Sequence, residues 1–263
     1  MSAVNKETVL ITGASSGIGL ELAKCFAADG NRLVLVARNT EALETLAKEL
    51  RQSHKIEVLV LTADLSLSET PQQIFAELSA QKISVDVLVN NAGFGAHGAF
   101  AEMPLSRQLE MLQVNITSLT ELTGLFLPGI IQRKRGGILN VGSVAGFLPG
   151  PGMTVYFATK AFVLSFTEAL AEELAGTGLK VSVLCPGPTE SNFGKVARGT
   201  KSRQLNTSKM SAQAVAVYGH RAFHSGKVTA VPGLQNKAFV FMNRILPRPI
   251  PRKIVKRYNR TAD

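Results

Sequence analysis

The chain alternates between short apolar runs and longer stretches in which apolar residues recur every three or four positions. Residues 8–12, 32–37, 57–62, 85–90, 137–141 and 179–185 are apolar almost throughout and rich in β-branched side chains, as in strands buried on both faces. Between them, 17–29, 40–52, 70–81, 106–131 and 154–175 carry helical periodicity; in the first, Ile18, Leu22, Cys25 and Phe26 form one stripe. This alternation predicts an α/β fold, a parallel sheet covered by helices on both sides. Right-handed crossovers make it doubly wound, with three α/β/α layers. After residue 190 the pattern changes. Residues 191–209 are polar and read as a long loop, 211–224 as a helix and 227–231 as a last strand. Pro247, Pro249 and Pro251 break the tail before a short helix over 252–260. The expectation is one domain: a core over 8–190, a lid region over about 191–225 and a tail over about 237–263.

Composition sharpens this picture in two places. With 45% hydrophobic and 18% charged residues the chain is of the folded, not the disordered, class. It has no uninterrupted run of eighteen apolar residues and a short polar start, so neither a transmembrane helix nor a signal peptide is expected. Cys25 and Cys185 sit in apolar runs and read as buried free thiols. The net charge of +10 is uneven: residues 1–190 hold 14 Lys+Arg against 18 Asp+Glu, and the remainder holds 15 against one, Asp263. That basic C-terminal quarter needs its own explanation.

The first strand runs into Thr12-Gly13-Ala14-Ser15-Ser16-Gly17-Ile18-Gly19 and then into a helix. Gly13 allows the turn, Gly17 lets backbone approach a pyrophosphate, and Gly19 lets the helix pack on the sheet. The helix N-terminus offers free N–H groups to the phosphates. The second strand ends Ala37-Arg38, where an NAD site places an acid for the ribose 2′-hydroxyl; Arg38 suits a 2′-phosphate instead and favours NADP(H) over NAD(H). Asp64, followed by Leu65, reads equally as an acceptor for an adenine amino group or as a turn cap. Tyr156 and Lys160 lie four apart, on one helical face, where the lysine can lower the phenol's pKa towards neutrality for acid catalysis. Ser143 follows the strand at 137–141 and can polarise a carbonyl oxygen.

In order, Thr12–Gly19, Asn90-Asn91-Ala92-Gly93, Asn115, Ser143, Tyr156-x-x-x-Lys160 and Pro186-Gly187 with Thr189 closely resemble the motifs of the short-chain dehydrogenase/reductase family, over about residues 8–190. The resemblance implies a Rossmann fold and direct hydride transfer between a nicotinamide and a carbonyl or alcohol carbon, without a metal. It assigns proton transfer to Tyr156, ribose binding and pKa lowering to Lys160, substrate orientation to Ser143, and a water linking Lys160 to solvent to Asn115. Asn90, Asn91, Ala92 and Gly93 would line the adenosine ribose. Pro186, Gly187 and Thr189 would border the nicotinamide. Many NADP-using relatives carry a basic residue where this chain has Ser16, so its NADP preference rests on Arg38.

The expected function is an NADP(H)-dependent oxidoreductase that reduces a hydrophobic ketone, aldehyde or acyl-type carbonyl. Phe94, Gly95, Ala96, His97, Phe147, Leu148, Pro149, Met153 and Phe193 fall in stretches that line the cleft in such enzymes, with His97 read as a solvated loop residue. The alternative is a non-catalytic dinucleotide-binding sensor or a membrane-peripheral scaffold; such members usually lose the Tyr or the Lys, and both stand here. The lysines and arginines of the 191–209 loop suit either an acidic substrate group or plain solvation. In the tail, Ile254, Val255 and Tyr258 fall on one helical side among basic residues, which fits an anionic membrane surface as well as a subunit interface; no module for nucleic acid accompanies the charge. Helices apolar on more than one face predict a homodimer or homotetramer. The expected location is cytoplasmic, free or peripheral to a membrane.

Overall fold

A computed structural model describes residues 6–190 and 209–259. Seven strands form one parallel sheet in the order β3-β2-β1-β4-β5-β6-β9: β1 (Thr8–Thr12), β2 (Arg32–Ala37), β3 (Val58–Thr62), β4 (Val87–Asn90), β5 (Gly137–Val141), β6 (Lys180–Leu184) and β9 (Thr229–Ala230). The order reverses between β1 and β4, and the strands' C-terminal ends open a crevice there, where ligands bind in sheets of this kind. Thr189–Glu190 (β7) and Met210–Ser211 (β8) pair separately.

The inner apolar runs are sealed on both faces, as β2 shows. Leu33 and Leu35 of β2 join Leu22 and Phe26 of α1 (Gly17–Ala28), Leu43, Leu46 and Leu50 of α2 (Thr40–His54), and Val215 and Phe223 of α7 (Ala212–His224). Val34 and Val36 point the other way, to Ile74 and Leu78 of α3 (Thr70–Ala80), Phe126 and Ile130 of α5 (Ser118–Arg133), and Leu170 of α6 (Thr154–Glu173). Adjacent strand residues facing opposite layers is the reason these strands are apolar throughout instead of alternating.

Two stretches differ in their elements from the sequence expectation. The helix expected over 106–131 is α4 (Leu105–Leu112), a π-type turn (Gln113–Thr117) and α5. The wider turn carries Asn115 inward, to 1% exposure. This whole stretch, Leu105–Arg133, is long and apolar enough to cross a membrane. Here Met111, Leu119, Leu122, Phe126 and Ile130 are buried against the protein's own interior. The tail holds two helices instead of one: α8 (Leu234–Ile245) and α9 (Pro249–Asn259). Pro249 and Pro251 start α9 and do not break it, since a helix's first turn needs no N–H from them. The loop expected over 191–209 and the side chain of Tyr258 lie outside the described residues, apart from Lys209.

At the opposite, N-terminal ends of the central strands, Asp86 is 1% exposed. Its carboxylate accepts from Thr8 N at 3.1 Å, Arg133 Nε at 2.9 Å and Arg135 Nη2 at 2.8 Å, tying β1, β4 and the end of α5 together. Both arginines are about a third exposed and regain water if the carboxylate is removed. Asp86→Ala is therefore expected to cost about 2 kcal/mol, the lower range for lost charge-assisted bonds. Urea unfolding measures it, and an unchanged midpoint contradicts this account.

Candidate active site

The chain leaves β1 through a turn in which Gly13 and Gly17 have φ of +67° and +59°, a region that side chains disfavour. Gly19 is needed for space: a Cβ there would lie 2.3 Å from Asn91 Nδ2 and 2.4 Å from the Gly13 carbonyl oxygen. Asn91 causes that crowding. Its amide donates to the carbonyls of Thr12 at 2.9 Å and Gly13 at 3.1 Å, while Thr12 Oγ1 accepts the N–H groups of Asn91 and Ala92, each at 3.0 Å. The side chain of Asn91 thus braces the turn from beneath. Ser16 precedes α1 with extended backbone. Among the described residues no side chain caps that helix, and its first turn holds no acid. Its N–H groups and positive dipole end are suited to an anion.

Across the crevice, Arg38 stands 69% exposed beyond β2, with Nη1 3.9 Å from Asp64 Oδ2. Asp64 Oδ1 accepts Ser66 N at 3.0 Å, so the turn-cap reading of Asp64 is realised while Oδ2 faces Arg38. The Leu65 side chain is buried and its carbonyl accepts Ser118 Oγ at 2.8 Å, so the side chain offers a ligand nothing. A shallow hollow lined by Ser15, Leu20, Asn39 and Ala42 opens beside this corner, away from Tyr156.

The chemical groups converge at the ends of β4, β5 and β6. Ser143 leads a 3₁₀ turn (Val144–Phe147); its Oγ accepts Ala145 N at 3.1 Å, lies 3.4 Å from the Pro186 carbonyl and is hydrogen-bonded with Tyr156. One turn along α6 from Tyr156, Lys160 is 6% exposed and donates to the Val141 carbonyl at 2.8 Å. Asn115 accepts Phe94 N at 3.1 Å and donates to Phe94 O at 2.9 Å and Thr159 Oγ1 at 3.0 Å. A Cβ on Gly93 would come within 3.0 Å of Asn115 Oδ1 and 3.4 Å of Lys160 Nζ, so these three residues share one wall. Asn90 lies deeper, donating to Thr123 Oγ1 and Asn140 Oδ1 inside the protein.

Burial pushes the Tyr156 phenol up to about 12, with the Ser143 hydrogen bond opposing the rise, and lowers the Lys160 ammonium to about 8. The expectation that Lys160 draws the phenol towards neutrality is not met by the protein's own groups. Desolvation outweighs a lysine whose Nζ lies 5.9 Å from the Tyr156 ring centre.

Gly187 lies beneath α8, where a Cβ would be 2.2 Å from Asn236 Oδ1, and Thr189 Oγ1 donates to the Gly187 carbonyl at 2.9 Å. The cleft beside Tyr156 is apolar: Phe94 and Ala96 pack on Met111, Ala145 and Met153. His97 is not the solvated residue expected. Its Nε2 lies 2.6 Å from the Asn259 carbonyl, and Asn259 Nδ2 donates to Pro151 O at 2.9 Å, so the end of α9 closes onto the cleft loops. Cys185 is buried as expected, but Cys25 is only half-buried. Phe193 lies outside the described residues. Sequence reasoning missed Thr159, Asn236 and Asn259. Single polar residues carry no signal of a contact made across the fold.

A family model described as short chain dehydrogenase matches residues 7–202. Very-long-chain 3-oxoacyl-CoA reductase of Rattus norvegicus is 30% identical over 97% of this chain and 80% of its own length. Sulfoacetaldehyde reductase 2 of Chromohalobacter salexigens is 40% identical over 73% of this chain and 77% of its own. A short-chain dehydrogenase from Sphingobium yanoikuyae, solved in complex with NADPH, superposes with a TM-score of 0.80 at 32% identity, covering 92% of this chain and 97% of that one.

Lys160 has a folded pKa below its unfolded value of 10.5, so the unfolded chain holds the proton over a higher pH range. Its contribution to stability therefore rises from pH about 8 to 10.5, and below that window the buried charge costs stability in full. Lys160→Met is expected to be more stable than wild type at pH 7, by a margin that shrinks across the window. Urea unfolding at stepped pH tests this, and a pH-independent margin refutes it.

Proposed function

The chain belongs to the short-chain dehydrogenase family and is an oxidoreductase of that family; from this premise we propose that it is an NADP(H)-dependent reductase of hydrophobic carbonyl compounds. The observation that carries the reading is the convergence of Ser143, Tyr156 and Lys160 beside an apolar cleft, at the end of a crevice that begins with the glycine turn. The turn fits a dinucleotide: side chains are excluded at Gly13 and Gly19, and α1 presents its uncapped N-terminus. Arg38 would take the 2′-phosphate, with Ala37 offering no acid for a 2′-hydroxyl. Pro186, Gly187 and Thr189 would border the nicotinamide, and Lys160 its ribose. The bound nicotinamide supplies the hydride.

The protein's part is polarisation and proton delivery. A carbonyl oxygen between Ser143 and Tyr156 accepts hydrogen bonds from both hydroxyls, which favour the developing oxyanion over the neutral carbonyl. Held well above neutral pH by burial, the Tyr156 phenol is protonated and ready to donate. The Lys160 ammonium, fixed by Val141, stabilises the phenolate left behind. Asn115 fixes the Phe94 loop and Thr159 behind these groups; the Tyr156 phenolate takes back a proton from the Lys160 ammonium, and a water held at Asn115 would resupply Lys160 from solvent. The apolar wall and the likeness to the rat very-long-chain 3-oxoacyl-CoA reductase both favour an acyl-type carbonyl on a long apolar chain. Leu105, Leu109, Ile131 and Phe162 leave apolar surface exposed on α4, α5 and α6, which supports a homodimer or homotetramer. Tyr156→Phe is expected to slow NADPH-dependent reduction at least about a hundredfold while NADPH still binds. In fluorescence titrations Arg38→Ala should lose the preference for NADPH over NADH. If wild type binds NADH as tightly as NADPH, the cofactor assignment fails; if Tyr156→Phe keeps its rate, the mechanism fails.

The tail completes this reading as a membrane-peripheral arm. In α8 the half-buried residues Asn236, Val240 and Asn243 face the body. About 180° around the helix, Leu234, Phe241, Met242 and Ile245 are exposed, at 82%, 61%, 44% and 59%. The more apolar stripe faces outward, the reverse of a water-facing helix. On α9, Val255 packs inward while Ile250 and Ile254 stay exposed among Arg252, Lys253, Lys256 and Arg257. Residues 234–259 contain seven basic residues and no acid. A two-fold contact with a second copy would set like charges together, whereas an anionic lipid surface takes both the charge and the apolar stripe. The full chain should co-sediment with phosphatidylglycerol-containing vesicles more than with phosphatidylcholine ones, and Phe241→Ser with Ile245→Ser should weaken this several-fold without loss of NADPH binding. Equal sedimentation of wild type and variant, or a variant altered only in oligomeric state, overturns the arm's role and leaves the reductase reading intact.

A further inference from the structure

His220 and His224 stand four apart on one helical face, a spacing that can hold a metal, and the fold adds Asp29 to them at the end of α1 away from the glycine turn. Asp29 follows the last residue of α1, and His220 and His224 lie in the last turns of α7. His220 Nε2 is 2.8 Å from Asp29 Oδ2, His224 Nε2 is 3.3 Å from the same oxygen, and the two Nε2 atoms are 3.1 Å apart. We propose that Asp29, His220 and His224 form a binding site for a divalent transition-metal ion such as zinc, clamping the end of α1 to the end of α7.

Three features support it. The first is the triangle itself. Ligand bonds of about 2.0–2.1 Å at tetrahedral angles place ligand atoms about 3.3 Å apart, and the three distances need to widen by about half an ångström at most. The two Nε2 atoms carry at most two hydrogens for three close contacts, whereas one cation takes a lone pair from each corner. The second is preorganisation. Phe26, fully buried, meets the His220 ring edge-on at 4.8 Å, the two imidazoles meet at 4.4 Å, and Phe223 flanks His224 at 5.4 Å, so packing fixes both ring planes. The third is the field. Both helices bring their C-terminal ends here, and the negative dipole ends favour a cation. Lys180, whose Nζ lies over the Phe223 ring at 5.9 Å, opposes the added charge from one side. Exposure rises from His220 at 14% to Asp29 at 40%, so a fourth coordination position faces solvent and gives the ion an entry path. Two imidazoles and one carboxylate suit zinc, cobalt, nickel or copper and not magnesium or calcium, which take oxygen ligands.

The site stands behind the glycine turn, at the other end of α1, so its role is to hold a helix and not to take part in hydride transfer. The test uses the full chain treated with EDTA and dialysed. Zinc titrated by calorimetry is expected to bind at one ion per chain, unaffected by excess magnesium, and to raise Tm. Asp29→Asn, and separately His220→Gln with His224→Gln, should remove the binding and the Tm rise, while NADPH titration and circular dichroism show that the variants fold. Reductase activity should be the same with EDTA or zinc. No zinc uptake by wild type overturns the proposal. So does equal uptake by the variants, which would assign the binding to His54 or His97. Neither result bears on the dinucleotide site, whose failure would be read from NADPH binding instead.

Discussion

Burying the ammonium of Lys160 is the constraint around which the active site is organised. Moving that charge out of water lowers its pKa from 10.5 to about 8, a penalty on the order of 3 kcal/mol. The fold meets part of that cost with one directed hydrogen bond, from Nζ to the Val141 carbonyl at the end of β5. Everything next to the ammonium must then be small or already fixed. Gly93 leaves room for Nζ, and a Cβ on Gly146 would collide with the lysine's own carbonyl at 2.6 Å, so the 3₁₀ turn can sit directly on α6. Asn115 faces the same space, with its amide satisfied by Phe94 and Thr159. The π-type turn follows from this demand: the additional residue in that turn carries Asn115 inward from a helix otherwise packed along the sheet.

The second half of the crevice is built by the same logic with neutral groups. Thr12 and Asn91 exchange four hydrogen bonds with neighbouring backbone, joining the end of β1 to the end of β4 across the point where strand order reverses. This cross-tie fixes the glycine turn before any ligand arrives, which reduces the ordering cost of binding. The dinucleotide crevice and the proton-transfer groups thus share β4, and a shift of that strand would disturb both.

The C-terminal quarter is tied to the same end of the sheet. Asn236 closes over Gly187, and Asn259 reaches both His97 and Pro151, so α8 and α9 rest on the loops proposed to border the nicotinamide and the substrate. These contacts are polar and few, and the outward apolar stripe of α8 gains nothing from water. An arm seated in this way can answer to a surface outside the protein while touching the cleft within it.

Much of this was legible in the sequence because its causes are local. Uninterrupted apolar runs give strands buried on both faces, and Gly13, Gly17, Tyr156 and Lys160 stand at spacings that a turn or one face of a helix demands. The sheet, the glycine turn and the Tyr156–Lys160 pair therefore appeared where the pattern put them. What needed the tertiary structure was every property set by distant neighbours. The direction of the Tyr156 shift depends on how completely α6 is buried, and periodicity does not report that. Asn91 as a brace, Asn115 on a π-type turn and His97 held by Asn259 join residues that the chain keeps far apart. Asp29 lies 191 positions from His220, and only the packing of α1 against α7 brings their side chains together. Sequence records which residues prefer which local geometry; desolvation and convergence in space exist only once the chain has folded.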